Sequence, residues 1–141
     1  MKKICFITGS RSEFGLMKNL IKKCYQNKQF KIHLIVTGSH LLKEHGFTFK
    51  EIIKENIKIS KKVKIIDFKK NKNTPVTISA ISLGIKKFEK VFRRMDPDLV
   101  CIPCDRYEML GPALAAFFLN IPIAHFFGGE VSYGSQDDTI R

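Results

Sequence analysis

Short runs of consecutive apolar residues alternate along this chain with longer segments whose apolar positions recur at helical spacing. Ile4-Cys5-Phe6-Ile7 predicts a first strand, Leu16 to Tyr25 a helix, and Ile32 to Val36 a second strand. Beyond these, a helix is expected around Thr48 to Glu55, a strand at Val63 to Ile66 and a helix from about Ile78 to Arg94. A strand at Leu99 to Ile102, a helix from Leu110 to Leu119 and a strand at Ile123 to Phe126 complete the alternation. Strands that are apolar at successive positions are buried on both faces, as in a parallel sheet covered by helices. The expected fold class is therefore α/β, a Rossmann-like parallel sheet flanked by helices. The chain has 141 residues, 44% of them apolar, which suffices for one core and not for two, so residues 1–141 are read as one domain. Asp67 to Thr77 reads as a polar loop, and Ser135 to Arg141 as the opening of a further helix with Asp137-Asp138 in its cap and first turn.

Sheets of this kind bind ligands beyond the carboxyl ends of their strands, where the strand order reverses. The segments following the strands are therefore where chemistry is sought. After the first strand, Thr8-Gly9-Ser10-Arg11-Ser12-Glu13 puts a Gly turn, small hydroxyls and an Arg at a helix start, a combination suited to a phosphate or diphosphate. It is neither G-x-G-x-x-G nor a Walker loop, which gives little support to a dinucleotide or ATP. After the second strand, Thr37-Gly38-Ser39-His40 repeats the pattern, and His40 and His45 are candidate ligand contacts. Asp105-Arg106-Tyr107-Glu108 follows the fourth strand. Asp105 suits a general base, while the alternative makes Asp105 a helix cap and Glu108 its capping-box partner. His125-Phe126-Phe127-Gly128-Gly129-Glu130 follows the fifth strand, and Asp137 and Arg141 add further charge; Gly128 and Gly129 permit close approach of backbone to ligand.

The charge balance changes this picture little. Lys and Arg number 25 against 13 Asp and Glu, for a net charge of +12, which favours phosphorylated or polyanionic partners. Most of the basic residues are lysines spread between Lys43 and Lys90 rather than gathered into a nucleic-acid motif, so a solvated face is the preferred reading and no nucleic-acid partner is expected. Cysteines 5, 24, 101 and 104 include one C-x-x-C without a second pair, so neither a metal nor another cofactor is expected; buried free thiols point to a reducing compartment. The apolar run at the amino terminus stops at Thr8-Gly9, too short for a signal peptide or a membrane span, and a cytoplasmic protein without a membrane partner is expected.

Taken in order, Thr8 to Glu13, Val36 to His40, Asp105 to Glu108, Asn120 to His125, Gly128-Gly129-Glu130 and Asp137 to Arg141 resemble the hydrolysing UDP-N-acetylglucosamine 2-epimerases of sialic acid biosynthesis. The resemblance implies one half of a two-domain, glycosyltransferase-B-type architecture whose carboxyl-terminal domain this chain lacks, and implies that the isolated chain turns over negligibly. It implies a UDP-sugar substrate, converted to N-acetylmannosamine and UDP by elimination and hydration, and a homo-oligomeric parent protein. Asp105, Asp137 and Glu130 are the implied catalytic carboxylates. Arg11 is implied to contact the diphosphate, with Ser10, His40, Arg106, His125, Gly128, Gly129 and Arg141 as further substrate-binding residues. Two positions depart from the family pattern. Cys104 stands where Gly is usual, and Phe127 stands where many members carry a catalytic Glu two residues after the His, so Glu130 or another group must take that role or the substrate differs. A non-catalytic phosphate- or sugar-nucleotide-binding module, and a related epimerase or glycosyltransferase with another nucleotide sugar, are the competing readings.

Overall fold

A computed structural model describes residues 1–68, 75–129, 131 and 133–141. Five strands form one parallel sheet: β1 (Lys2–Thr8), β2 (Phe30–Val36), β3 (Ile59–Lys62), β4 (Leu99–Pro103) and β5 (Ile123–Phe126), in the order β3-β2-β1-β4-β5. The helices are α1 (Arg11–Gln26), α2 (Phe49–Lys54), α3 (Val76–Met95), α4 (Leu110–Phe118) and α5 (Gln136–Ile140). None of the described helices is long and apolar enough to cross a membrane.

β1 lies at the centre, and its period of two divides the core. Ile4 and Phe6 join Phe14, Met17 and Ile21 of α1 on one face; Cys5 and Ile7 join Ala80, Phe88 and Phe92 of α3 on the other. On α1 the buried residues fall at helical spacing, and Ser10 caps its amino end by accepting the Glu13 N–H at 3.4 Å. On α3 the buried positions Ala80, Gly84, Phe88 and Phe92 recur every fourth residue as a single stripe, and Asp96 ends the helix in left-handed conformation.

Gly84 and Gly111 set the spacing of α3 and α4. A methyl group on Gly111 would meet the Gly84 Cα at 2.9 Å, so the two helices cross with backbone against backbone.

One strand lies elsewhere than the apolar pattern suggests. The edge strand is the more polar Ile59–Lys62, and the apolar Val63 to Ile66 follows it. The Val63 N–H still reaches the Val36 carbonyl at 2.8 Å, but Val63, Ile65 and Ile66 then pack into the core under α3 as irregular chain. The apolar run marks burial, while the ladder is made by residues half exposed at the sheet edge. The loop expected from Asp67 to Thr77 falls partly outside the described residues, and its last residues already belong to α3.

The helix contact yields a test. Gly111→Ala should destabilise the chain by about 1–3 kcal/mol through overpacking, while Gly15→Ala, on open helix surface with nothing within 4 Å, should stabilise it by about 0.4–1 kcal/mol. Urea unfolding of both variants measures this; equal effects would mean that α3 and α4 are not in backbone contact.

Candidate functional site

The strand order reverses between β1 and β4, and the loops that follow these strands flank the resulting crevice. At the end of β1 the turn is built from a reciprocal cap. Gly9 N–H donates to Glu13 Oε2 at 2.7 Å and Glu13 N–H donates to Ser10 Oγ, so the side chains of Ser10 and Glu13 satisfy the backbone N–H groups of Glu13 and Gly9. The N–H groups of Arg11 and Ser12, in the exposed first turn, have no partner within the helix and are the ones open to an anion.

The loops after β1 and β2 are stitched together. Gly9 carbonyl accepts from the His40 N–H at 3.1 Å and from Ser39 Oγ at 2.9 Å. Gly38 sits at φ +56°, and a methyl group on it would meet the Gly9 carbonyl oxygen at 2.9 Å, so glycine is required on both counts.

His40 itself is fully buried, which corrects its reading as a ligand contact. Nε2 lies 3.0 Å from Thr8 Oγ1 and Nδ1 lies 2.7 Å from Thr48 Oγ1. Thr8 already donates to the Ser10 carbonyl, so the consistent arrangement has Nε2–H donating to Thr8 and Thr48 donating to Nδ1. Burial pushes the imidazole down to about 4, and a neutral His40 fixes the loop from beneath.

Beyond β4, Cys104 turns the chain at φ +52° and Asp105 pairs with the guanidinium of Arg141 from α5; both side chains are largely buried. Asp105 makes no cap. The short helical turn Tyr107–Met109 begins at Arg106 without a side-chain cap, and Glu108 instead accepts from Arg106 Nη2 at 2.8 Å and Nε at 3.3 Å, which overturns the capping-box alternative. His125 Nε2–H donates to the Cys104 carbonyl at 2.6 Å, and Gly128 lies so close to the imidazole that a methyl group there would meet Nδ1 at 2.5 Å. These loops enclose a pocket of about 200 Å³ lined by Cys104, Met109, Leu110, His125, Ile140 and Arg141. That is below the roughly 300–1,000 Å³ usual for small-molecule sites, so a nucleotide sugar needs further walls.

The structure thus brings Asp105, Arg141, His125 and Gly128 together, with Arg106 adjacent in sequence. Arg11 follows the neighbouring strand on the same sheet edge but turns to Glu51 of α2, Nε to Oε2 at 2.9 Å, with its side chain mostly in solvent. Asp137 is exposed in the first turn of α5, whose cap is Ser135, and Arg141 reaches Asp138 at 3.6 Å on its own helix. Gly129 is exposed. Glu130 lies outside the described residues. Phe127 occupies the left-handed region at φ +62°, unusual for a bulky side chain, and is nearly half exposed.

Glu13, which has no role of its own in the sequence reading, and Glu108, which is read there only as a capping partner, are both buried beneath the crevice. The Ser-x-x-Glu spacing at Ser10–Glu13 is the sequence signal for the first. Among the described residues no His, Cys, Asp and Glu cluster is arranged to hold a metal, and burial pushes the Cys5 and Cys101 thiols up to about 12, where they act as small apolar groups.

Comparison with known proteins adds the following. A model of the UDP-N-acetylglucosamine 2-epimerase family matches residues 22–141. A GDP/UDP-N,N'-diacetylbacillosamine 2-epimerase (hydrolyzing) of Campylobacter jejuni is 39% identical over 99% of this chain, which spans 36% of that protein. The corresponding UDP-N,N'-diacetylbacillosamine 2-epimerase of Legionella pneumophila is 35% identical over 100% of this chain and 37% of its own length. The crystal structure of a Neisseria meningitidis UDP-GlcNAc 2-epimerase bound to UDP-GlcNAc superposes with a TM-score of 0.78 at 20% identity, over 94% of this chain and 34% of that one. The fold is thus one half of the two-domain architecture, and the chain spans about a third of the length of its relatives.

Two outcomes follow from the geometry. Because His40 is held neutral, its stabilising contribution is complete above about pH 6.5 and is lost as the pH falls towards about 4, on the order of 3 kcal/mol. His40→Gln should flatten the loss of stability between pH 7 and pH 4.5 in urea unfolding, and an unchanged slope would assign the titration to another group. Cys104→Gly should stabilise the fold by about 0.5–1 kcal/mol, the relief of a left-handed side chain less the entropy of glycine; a lowered Tm would show that the thiol makes a contact worth more than the strain.

Proposed function

Because the chain belongs to the UDP-N-acetylglucosamine 2-epimerase family, we propose that it is the first of two domains of a hydrolysing 2-epimerase acting on a UDP-linked 2-acetamido sugar. In the proposed reaction a base removes the C2 proton while the C1–oxygen bond to UDP breaks, giving a glycal. Water then adds, hydroxyl to C1 and proton to C2 from the opposite face, to release the free 2-epimer and UDP.

The observation that carries this reading is the Asp105–Arg141 pair at the switch point between β1 and β4. A carboxylate held largely out of water by a guanidinium has a fixed orientation, which general acid–base chemistry at a sugar carbon requires. Arg141 also offers positive charge where the diphosphate departs. Arg11, with the first-turn N–H groups of α1, is the proposed diphosphate contact, reached once it leaves Glu51; that pair is exposed and costs little to open. Asp137 and Glu130 are the remaining proposed carboxylates, with Ser10, Arg106, His125, Gly128 and Gly129 as substrate contacts. The small pocket volume accords with a second domain supplying the rest of the site.

Two sugars fit the family. UDP-N-acetylglucosamine is the first, giving N-acetylmannosamine. UDP-N,N'-diacetylbacillosamine is the second, favoured by the two relatives at 39% and 35% identity. Phe127, in place of a family carboxylate, presents apolar surface at the site edge, which suits a sugar with fewer hydroxyl groups.

The full-length gene product should release UDP and a free 2-epimer from one of these substrates, followed by NMR. Asp105→Asn should lower kcat by about 100-fold or more while UDP binding persists. UDP binding without turnover of either sugar would instead favour a non-catalytic module.

A further inference from the structure

Beneath the crevice the side chains of Glu13 and Glu108 are both buried, and the guanidinium beside them, that of Arg106, is nearly half exposed to solvent. Glu13 of α1 is 1% exposed and Glu108 is 1% exposed, and both flank Gly9, since a methyl group there would meet Glu13 Oε2 at 3.2 Å and Glu108 Cβ at 3.8 Å. Arg106 commits both Nε and Nη2 to Glu108 Oε1. Glu13 has the Gly9 N–H on one oxygen, and its Oε1, like Glu108 Oε2, is buried without a hydrogen-bond partner among the described residues. One cation thus faces two acids.

The other groups around Glu13 do not restore the balance. His40, behind Thr8, is neutral. Arg11, on the same helix, is turned outward to Glu51 of α2. Tyr107 adds only a neutral phenol. A buried carboxylate held by backbone N–H groups alone, with no cation of its own, costs more than the protonated acid. Burial, and then the negative charge of Glu108, raise the proton affinity of Glu13, against the Gly9 N–H, Arg106 and the Ser10 N–H, which lower it.

The proposed diphosphate contact lies directly above, at the first turn of the helix that Glu13 completes. We propose that binding of a phosphate-bearing ligand at the Ser10–Ser12 turn is coupled to uptake of one proton from solvent by Glu13, which becomes a neutral acid as the anion arrives. This rests on the reading of that turn as the diphosphate site. A unit negative charge brought within roughly 6 Å raises the proton affinity of a carboxylate on the order of a hundredfold at an effective dielectric of about 20. The coupling is reciprocal, so alkaline pH weakens the anion site.

The test is calorimetric titration of UDP into the full-length gene product at pH 8, in two buffers of different ionisation enthalpy, for the wild type and Glu13→Gln. The wild type should take up protons on binding UDP, and Glu13→Gln close to none. Equal uptake in both, or none in the wild type, overturns the coupling while leaving UDP binding intact. No UDP binding by the wild type removes the diphosphate site and the coupling together. Should Glu13→Gln fail to fold, carbon-13 NMR of the glutamate carboxyls of the wild type decides: one buried resonance should titrate at higher pH with UDP than without it, and an unmoved titration overturns the proposal.

Discussion

Burial of β1 on both faces is the constraint on which the rest of the molecule depends. A central strand whose alternate residues enter two separate cores can exchange hydrogen bonds only with neighbours in its own plane. Its carboxyl end is then the one place where the chain can leave the sheet, and it leaves into Gly9. At this point polar groups lie next to full burial, and the backbone groups find named partners: Thr37 N–H on the Thr8 carbonyl, His40 N–H on the Gly9 carbonyl, and Gly9 N–H on Glu13 Oε2. The loops after β1 and β2 complete the hydrogen bonding that the sheet leaves unfinished.

That arrangement explains which parts of the structure were legible in the sequence. Strands β1, β2 and β4 declare themselves because sheet interiors demand runs such as Ile4 to Ile7 and Leu99 to Ile102. The helices follow from stripes such as Phe14, Met17 and Ile21. β3 does not, because an edge strand is specified by pairing with Leu34 to Val36 and not by its own apolarity, while Val63 to Ile66 is apolar for the sake of the core.

The site was legible as a set of loops and less so as a set of contacts. That Asp105, His125 and Arg141 lie at one edge follows from topology. That Arg141 takes Asp105, with Asp138 as its neighbour on α5, depends on where a short helix points, which no spacing encodes. His40 misleads as a loop histidine because its partners, Thr8 and Thr48, come from different elements. Glu13 is the opposite case: its cap is written in four consecutive residues, but its burial depends on Glu108 and Met109, nearly a hundred positions away.

The Gly84–Gly111 crossing has a mechanical consequence. α3 leads into β4, and α4 leads out of the turn that holds Arg106 and Glu108, so the two helices bracket the β4 loop at both ends. At the crossing itself there is no side chain whose rotamer could change to absorb a shift. A close-packed crossing gives little under strain, so a displacement at Asp105 is absorbed more readily by torsion at Cys104, the left-handed residue beside it, than by the α3–α4 contact.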